Sequence, residues 1–131
     1  MSERWGSRVL QELARKQLAI LGGMTGVQSA VLFSADGFEV ASHAVSAEAA
    51  GRLAAIGSSL SSLGSAISAE AGLRVAERTI VESANGTVMI MQVPATPAMS
   101  LAVVADRSAL LGRLLWASKH CCQVLADAMG T

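Results

Sequence analysis

Residues Ser29–Ser42 read SAVLFSADGFEVAS, two short apolar runs back to back with Asp36 and Gly37 between them. The runs Val27–Ser34 and Phe38–His43 predict two strands, and Asp-Gly at their junction predicts a tight hairpin. Such a turn needs positive φ, either at both central residues of a type I′ turn or at the glycine of a bulged three-residue turn. Asp36 is accordingly read as a turn residue, in preference to a general acid or a metal ligand.

Working outward, Val9, Leu10, Leu13, Ala14, Leu18, Ile20 and Leu21 recur at helical spacing and predict a first helix stopped by Gly22 and Gly23. After the hairpin, Ser46 is the predicted N-cap of a long second helix that runs to about Glu70 and ends at Gly72, with Glu48 opposing the positive end of its dipole. Leu73–Ser83 alternates as a third strand, with Val75 and Val81 on one face and Ala76 and Ile80 on the other. Asn85 and Gly86 centre a second hairpin turn, Thr87–Val93 continues it, and Met99–Ala105 forms a last strand beyond Pro94 and Pro97. Asp106 or Ser108 opens a closing helix with Leu110, Leu111, Leu114, Leu115, Val124 and Leu125. Antiparallel strands grouped between helices predict an α+β domain over residues 1–131, in the order α-β-β-α-β-β-β-α.

The bulk properties narrow the function classes. Ten basic residues balance ten acidic ones, so no basic field exists to hold a phosphate backbone. With two Trp, two Phe and no Tyr, the stacking platforms of single-strand binders are missing as well, and no nucleic-acid partner is expected. Apolar residues make up 52%, much of it alanine. Leu53–Ala69 is uncharged but rich in Ser and Gly, and Val88–Val104 is broken by Gln92, Pro94 and Pro97; neither supplies the roughly 20 apolar residues of a membrane span. The opening MSERWGSRVLQELARKQ lacks the apolar core and cleavage site of a secretory signal, so a cytoplasmic location is expected.

Catalytic chemistry finds little support. His43 and His120 belong to no recognisable nucleophile signature. GGMTG at 22–26 lacks the G-K-[ST] ending of a phosphate-cradling loop and reads as a helix stop. His120, Cys121 and Cys122 are consecutive, and neighbours on a helix point about 100° apart, so they do not converge on one metal ion. No enzyme activity, catalytic residue, metal or cofactor is predicted.

The second helix is the most informative element. Leu53, Ile56, Leu60, Leu63 and Ile67 form one stripe of large residues, expected to pack on the domain's own sheet. About 100° around lies a row made only of small residues: Ala50, Ala54, Gly57, Ser61, Gly64 and Ser68. Glycine costs roughly 1 kcal/mol against alanine inside a helix. Close approach of another backbone is the usual compensation, and the favoured reading places a partner helix here, most simply a second copy across a twofold axis. The alternative is that the row packs within its own subunit or faces water.

With these elements assigned, AVLFSADGFEVAS, AEAAGRLAAIGSSLSSLGSAI, ERTIVESANGTVMIMQV and SLAVVAD together resemble the bacterial Roadblock/LC7 family, relatives of the dynein light chain of that name, over roughly Val9–Leu125. The resemblance implies a profilin-like arrangement with a five-stranded antiparallel sheet. It also implies a homodimer that joins the third strands into one sheet and sets the second helices side by side, with Val75, Glu77, Thr79 and Val81 or their alternates at the seam and Glu77 and Arg78 placed to read each other across it. Members of such a family bind small Ras-like GTPases as activators or scaffolds, or act as adaptors. Arg52, Arg74 and Arg78 are the arginines available to a GTPase, and no feature of the sequence selects one. The competing reading is a structural adaptor or a small-molecule-sensing domain with no GTPase partner.

Overall fold

The computed structural model describes residues 8–129. Residues 1–7, on which part of the leader reading rests, lie outside the described residues. The order is α1 (Arg8–Gly22), β1 (Val27–Ser34), β2 (Glu39–His43), α2 (Ala47–Glu70), β3 (Arg78–Ser83), β4 (Gly86–Val93), β5 (Met99–Asp106) and α3 (Leu111–Met129). All strand pairings are antiparallel, in one five-stranded sheet of order β2-β1-β5-β4-β3. The α+β class and the element order expected from the sequence are those observed.

Strand alternation divides the core between the two faces of the sheet. Leu32, Met89, Leu101 and Val103 point to one side, where α1 and α3 cover them with Leu18, Leu114, Leu125 and Met129. Val31, Phe33, Ile90 and Ala102 point to the other, where α2 supplies only Ala50 and Ala54 as fully buried apolar partners. One side is therefore a thick two-helix layer, the other a thin layer under a single helix.

Local chemistry explains the joints. In the first hairpin the Gly37 N–H donates to the Ser34 carbonyl (3.0 Å) and the Ser34 N–H to the Phe38 carbonyl (2.9 Å), with Gly37 at φ +89°. Asp36 is not in the left-handed region, so the turn is the bulged three-residue form. The Ser34 hydroxyl donates to the Asp36 carboxylate and holds its pKa below the usual value, as befits a turn anchor. The Ser58 hydroxyl of α2 donates to the Ala35 carbonyl (2.7 Å), tying the hairpin tip to the helix above it.

Three sequence expectations need correction. β3 starts at Arg78 and not at Leu73, leaving Val75 and Glu77 ahead of the strand. The second hairpin turns on Ala84 and Asn85, while Gly86 is already paired with Ser83 inside β4. A Cβ at Gly86 would sit 2.3 Å from the Ala105 carbonyl oxygen, so this glycine permits close approach of β5. Finally, α3 opens at Leu111; Asp106 instead anchors the preceding turn by accepting from the Ser108 hydroxyl, which does most to lower its pKa, and from the Ser108 N–H (2.9 Å), which lowers it further.

Cys121 and Cys122 lie in the thick layer as buried free thiols. Burial disfavours the thiolate and pushes Cys121 up to about 11 and Cys122 up to about 12, from an ordinary value of 9.0. Below pH 9 both should resist a thiol reagent in the native protein and react once urea unfolds it; reaction of the folded protein at neutral pH would contradict this burial. Because the raised pKa belongs to the folded state, the unfolded chain loses these protons first. Stability should accordingly fall as pH climbs from about 9 through the folded values, and a Cys121→Ala/Cys122→Ala variant should show a flatter decline in urea midpoint over that range.

Candidate interaction site

α2 begins on Ser46, whose side chain accepts from the Ala49 N–H (3.2 Å), and its first turns carry an exposed Glu48–Arg52 pair (3.9 Å). Beyond these the helix has no charge until Glu70. Its placement on the sheet reverses the expected assignment of its two rows. Ala50, Ala54 and Gly57 are the buried residues, with Ser61, Gly64 and Ser68 half-buried on the same side. The row of small residues thus faces the domain's own sheet, not a partner helix.

The physical reason is Phe33, which is 1% exposed. Its ring rises from β1 into the space below Gly57, where an added Cβ would lie 2.8 Å from Cζ. Farther along, a Cβ at Gly64 would lie 2.8 Å from Thr79 Oγ1 of β3. The sheet supplies the bulk, so the helix can approach only with small residues underneath. The large row is then turned away. Leu53 and Leu60 retain partial packing at its edge, while Ile56, Leu63 and Ile67 are exposed at 65%, 65% and 70%.

This apolar row is continued by its surroundings. Leu73 and Val75, in the connection after α2, are exposed. β3 is an outer strand of the sheet, paired to β4 on one side and to no strand on the other among the described residues. Thr79, paired with Ile90, and Val81, paired with Val88, lie on the α2 face, and Val81 is exposed. Ile80, also exposed, lies on the opposite face with Arg78. An apolar helix flank and an open strand edge therefore adjoin.

The fold does not bring the three candidate arginines together. Arg52 is near the start of α2, Arg74 is beyond its far end, and Arg78 is on the other face of β3. Glu77 and Arg78 approach each other within the chain (3.6 Å). Among the described residues no cluster of His, Cys, Asp or Glu is arranged to hold a metal ion, and no helix is long and apolar enough to cross a membrane. His43 closes against Gly22, and His120 stacks on Trp116 with ring centroids 5.6 Å apart. Trp116, 72% exposed, has no place among the sequence expectations; its position off the Leu114–Ser118–Cys121 stripe of α3 is the one signal that marks it.

Comparison with known proteins bears on this geometry. The Roadblock/LC7 domain profile matches residues 13–105, well over half of the chain. No curated protein matches. A Roadblock/LC7 domain from Streptomyces avermitilis superposes with a TM-score of 0.79 at 24% identity, covering 87% of this chain and 95% of that one. MglB of Myxococcus xanthus gives 0.80 at 13% identity, covering 90% and 88%. The gliding protein MglB of Thermus thermophilus gives 0.81 at 20% identity, covering 92% and 91%. At these identities the structures establish a shared fold, and the profile match establishes more: the chain belongs to the Roadblock/LC7 domain family.

Proposed function

We propose that this protein is a non-catalytic homodimeric module that binds a small Ras-like GTPase, as an activator or as a scaffold. The observation that carries the dimer is the exposed row Ile56, Leu63 and Ile67 beside the open edge of β3. Burying a large aliphatic side chain contributes about 1.5–3 kcal/mol, less here because part of each is already covered. The β3 edge adds a ladder of main-chain hydrogen bonds if it meets its copy in antiparallel register. A twofold axis through that seam brings the α2 flanks together, so helix and strand contribute to one self-complementary patch. Family membership supports the GTPase, since that partner is what the Roadblock/LC7 resemblance implies.

The dimer is placed here on the large row, not on the small row favoured from sequence. In this reading Leu63→Glu with Ile67→Glu removes the joint without touching the core, and sedimentation should find the variant at the 13.4 kDa of one chain while the parent runs at twice that. Circular dichroism should be unchanged. A parent protein that is monomeric at micromolar concentration refutes the dimer.

Filling the small row should act differently. Gly57→Ala forces the buried Phe33 ring to move and should lower stability by about 1–3 kcal/mol in urea titration, leaving the assembly of the folded fraction intact. Dissociation without loss of stability would restore the small row as the interface.

The partner is tested with the host's small GTPases, each loaded with GDP or a non-hydrolysable GTP analogue, followed by a turnover assay. Binding with faster hydrolysis identifies an activator, and binding without it a scaffold. Failure to bind in either state favours the adaptor or sensing reading.

A further inference from the structure

On the sheet face opposite α2, a groove of about 580 Å³ opens between the C-terminal end of α1 and the first turns of α3. Ile20 and Met24 form one wall, Trp116 and Ala117 the other, with Leu21 and Cys121 buried at the floor. Ile20 is 62% exposed and Trp116 72%. The Trp116 ring is stacked on His120 with an interplanar angle of 3°, so a large apolar surface is already held in place. Aromatic anchors of this kind lose little entropy on contact and dominate the energetics of many interfaces.

The charges around the groove are one-sided. Arg113 is the only charged lining residue, and Lys16 stands one helical turn before Ile20. Neither forms an ion pair among the described residues. Together α1 and α3 carry five basic residues against two acidic ones, in a chain whose charges cancel overall. The two helices thus carry a net basic excess, of which Arg113 and Lys16 stand beside the groove.

We propose that the α1–α3 groove docks an amphipathic helical segment of a partner protein, with an apolar stripe flanked by acidic residues. Two adjacent helices leave a trough in which a third can lay its apolar side chains. The basic margin then pairs with the acidic flanks and rejects basic segments. A bilayer rewards side chains that protrude from a convex surface, whereas Leu21 and Cys121 form the floor of a concavity that rewards side chains inserted into it. The site is separate from the α2–β3 seam, so it stands or falls independently of the dimer.

The test uses the full chain carrying Trp5→Phe, which leaves Trp116 as the sole tryptophan. The probes are a synthetic peptide of about 18 residues with leucines at helical i, i+3, i+4, i+7 spacing and glutamate flanks, its lysine-flanked counterpart, and phosphatidylglycerol vesicles. The glutamate peptide should shift Trp116 emission to the blue and bind at least about tenfold more tightly than the lysine peptide, with affinity falling as salt rises. Arg113→Glu should remove that preference, and the exposed-site change Ile20→Ser should weaken binding about tenfold with circular dichroism unchanged. Equal binding of the two peptides, or indifference to Ile20→Ser, overturns the proposal. A blue shift with vesicles alone reassigns the groove to a membrane surface. A shift on concentrating the protein by itself, matched by larger species in sedimentation, reassigns it to a second copy. A shift on deleting residues 1–7 reassigns it to the chain's own N-terminal segment.

Discussion

The contact between Phe33 and Gly57 sets the geometry on which the rest depends. A phenylalanine near the end of β1 fills the height that separates a sheet from a helix, so α2 can settle only where its own side chains are nearly absent. Once that row is committed to the sheet, the angular spacing of the helix leaves Leu53 and Leu60 at the edge of the contact and turns Ile56, Leu63 and Ile67 outward. An exposed apolar flank on a helix held this firmly is therefore a by-product of one ring and one missing Cβ. The Ser58 hydroxyl adds the second fixing point by holding the hairpin tip beneath the same helix.

This explains which parts of the molecule were legible in the amino-acid sequence. Element type and order were readable because each rests on local chemistry: Gly22 and Gly23 stopping α1, Asp36–Gly37 folding the first hairpin, Ser46 capping α2. The two rows of α2 were readable too, with their spacing. Their orientation was not, because periodicity gives the angle between two faces without saying which one meets the sheet. The usual rule that bulk goes inward fails here since the bulk comes from the opposite layer, and Phe33 is too far away in the chain for any local pattern to couple it to Gly57.

The same distinction governs the smaller departures. Asn85–Gly86 has the composition of a hairpin centre, yet the turn sits one residue earlier, because the missing Cβ of Gly86 is needed against the Ala105 carbonyl of a strand formed much later in the chain. Leu73 and Val75 alternate like a strand but end up outside β3, exposed beside the end of α2. Trp116 is marked in the sequence only by lying off the apolar stripe of α3; what it faces is not legible there, because Ile20 and Arg113 join it across a groove that exists only after α1 and α3 have packed.

The order β2-β1-β5-β4-β3 also makes the two rims of the sheet unequal. β2 is only five residues long, carries the exposed charge of Glu39, and meets β1 through an irregular register between Leu32 and Phe33. Short, charged and bulged rims are poor templates for another chain. β3 is one residue longer and carries Arg78 and Glu82, but it pairs in unbroken register and is continued by apolar surface. A sheet bordered in this way offers a regular ladder of main-chain donors and acceptors on one rim only, so any accretion of strands is confined to a single direction.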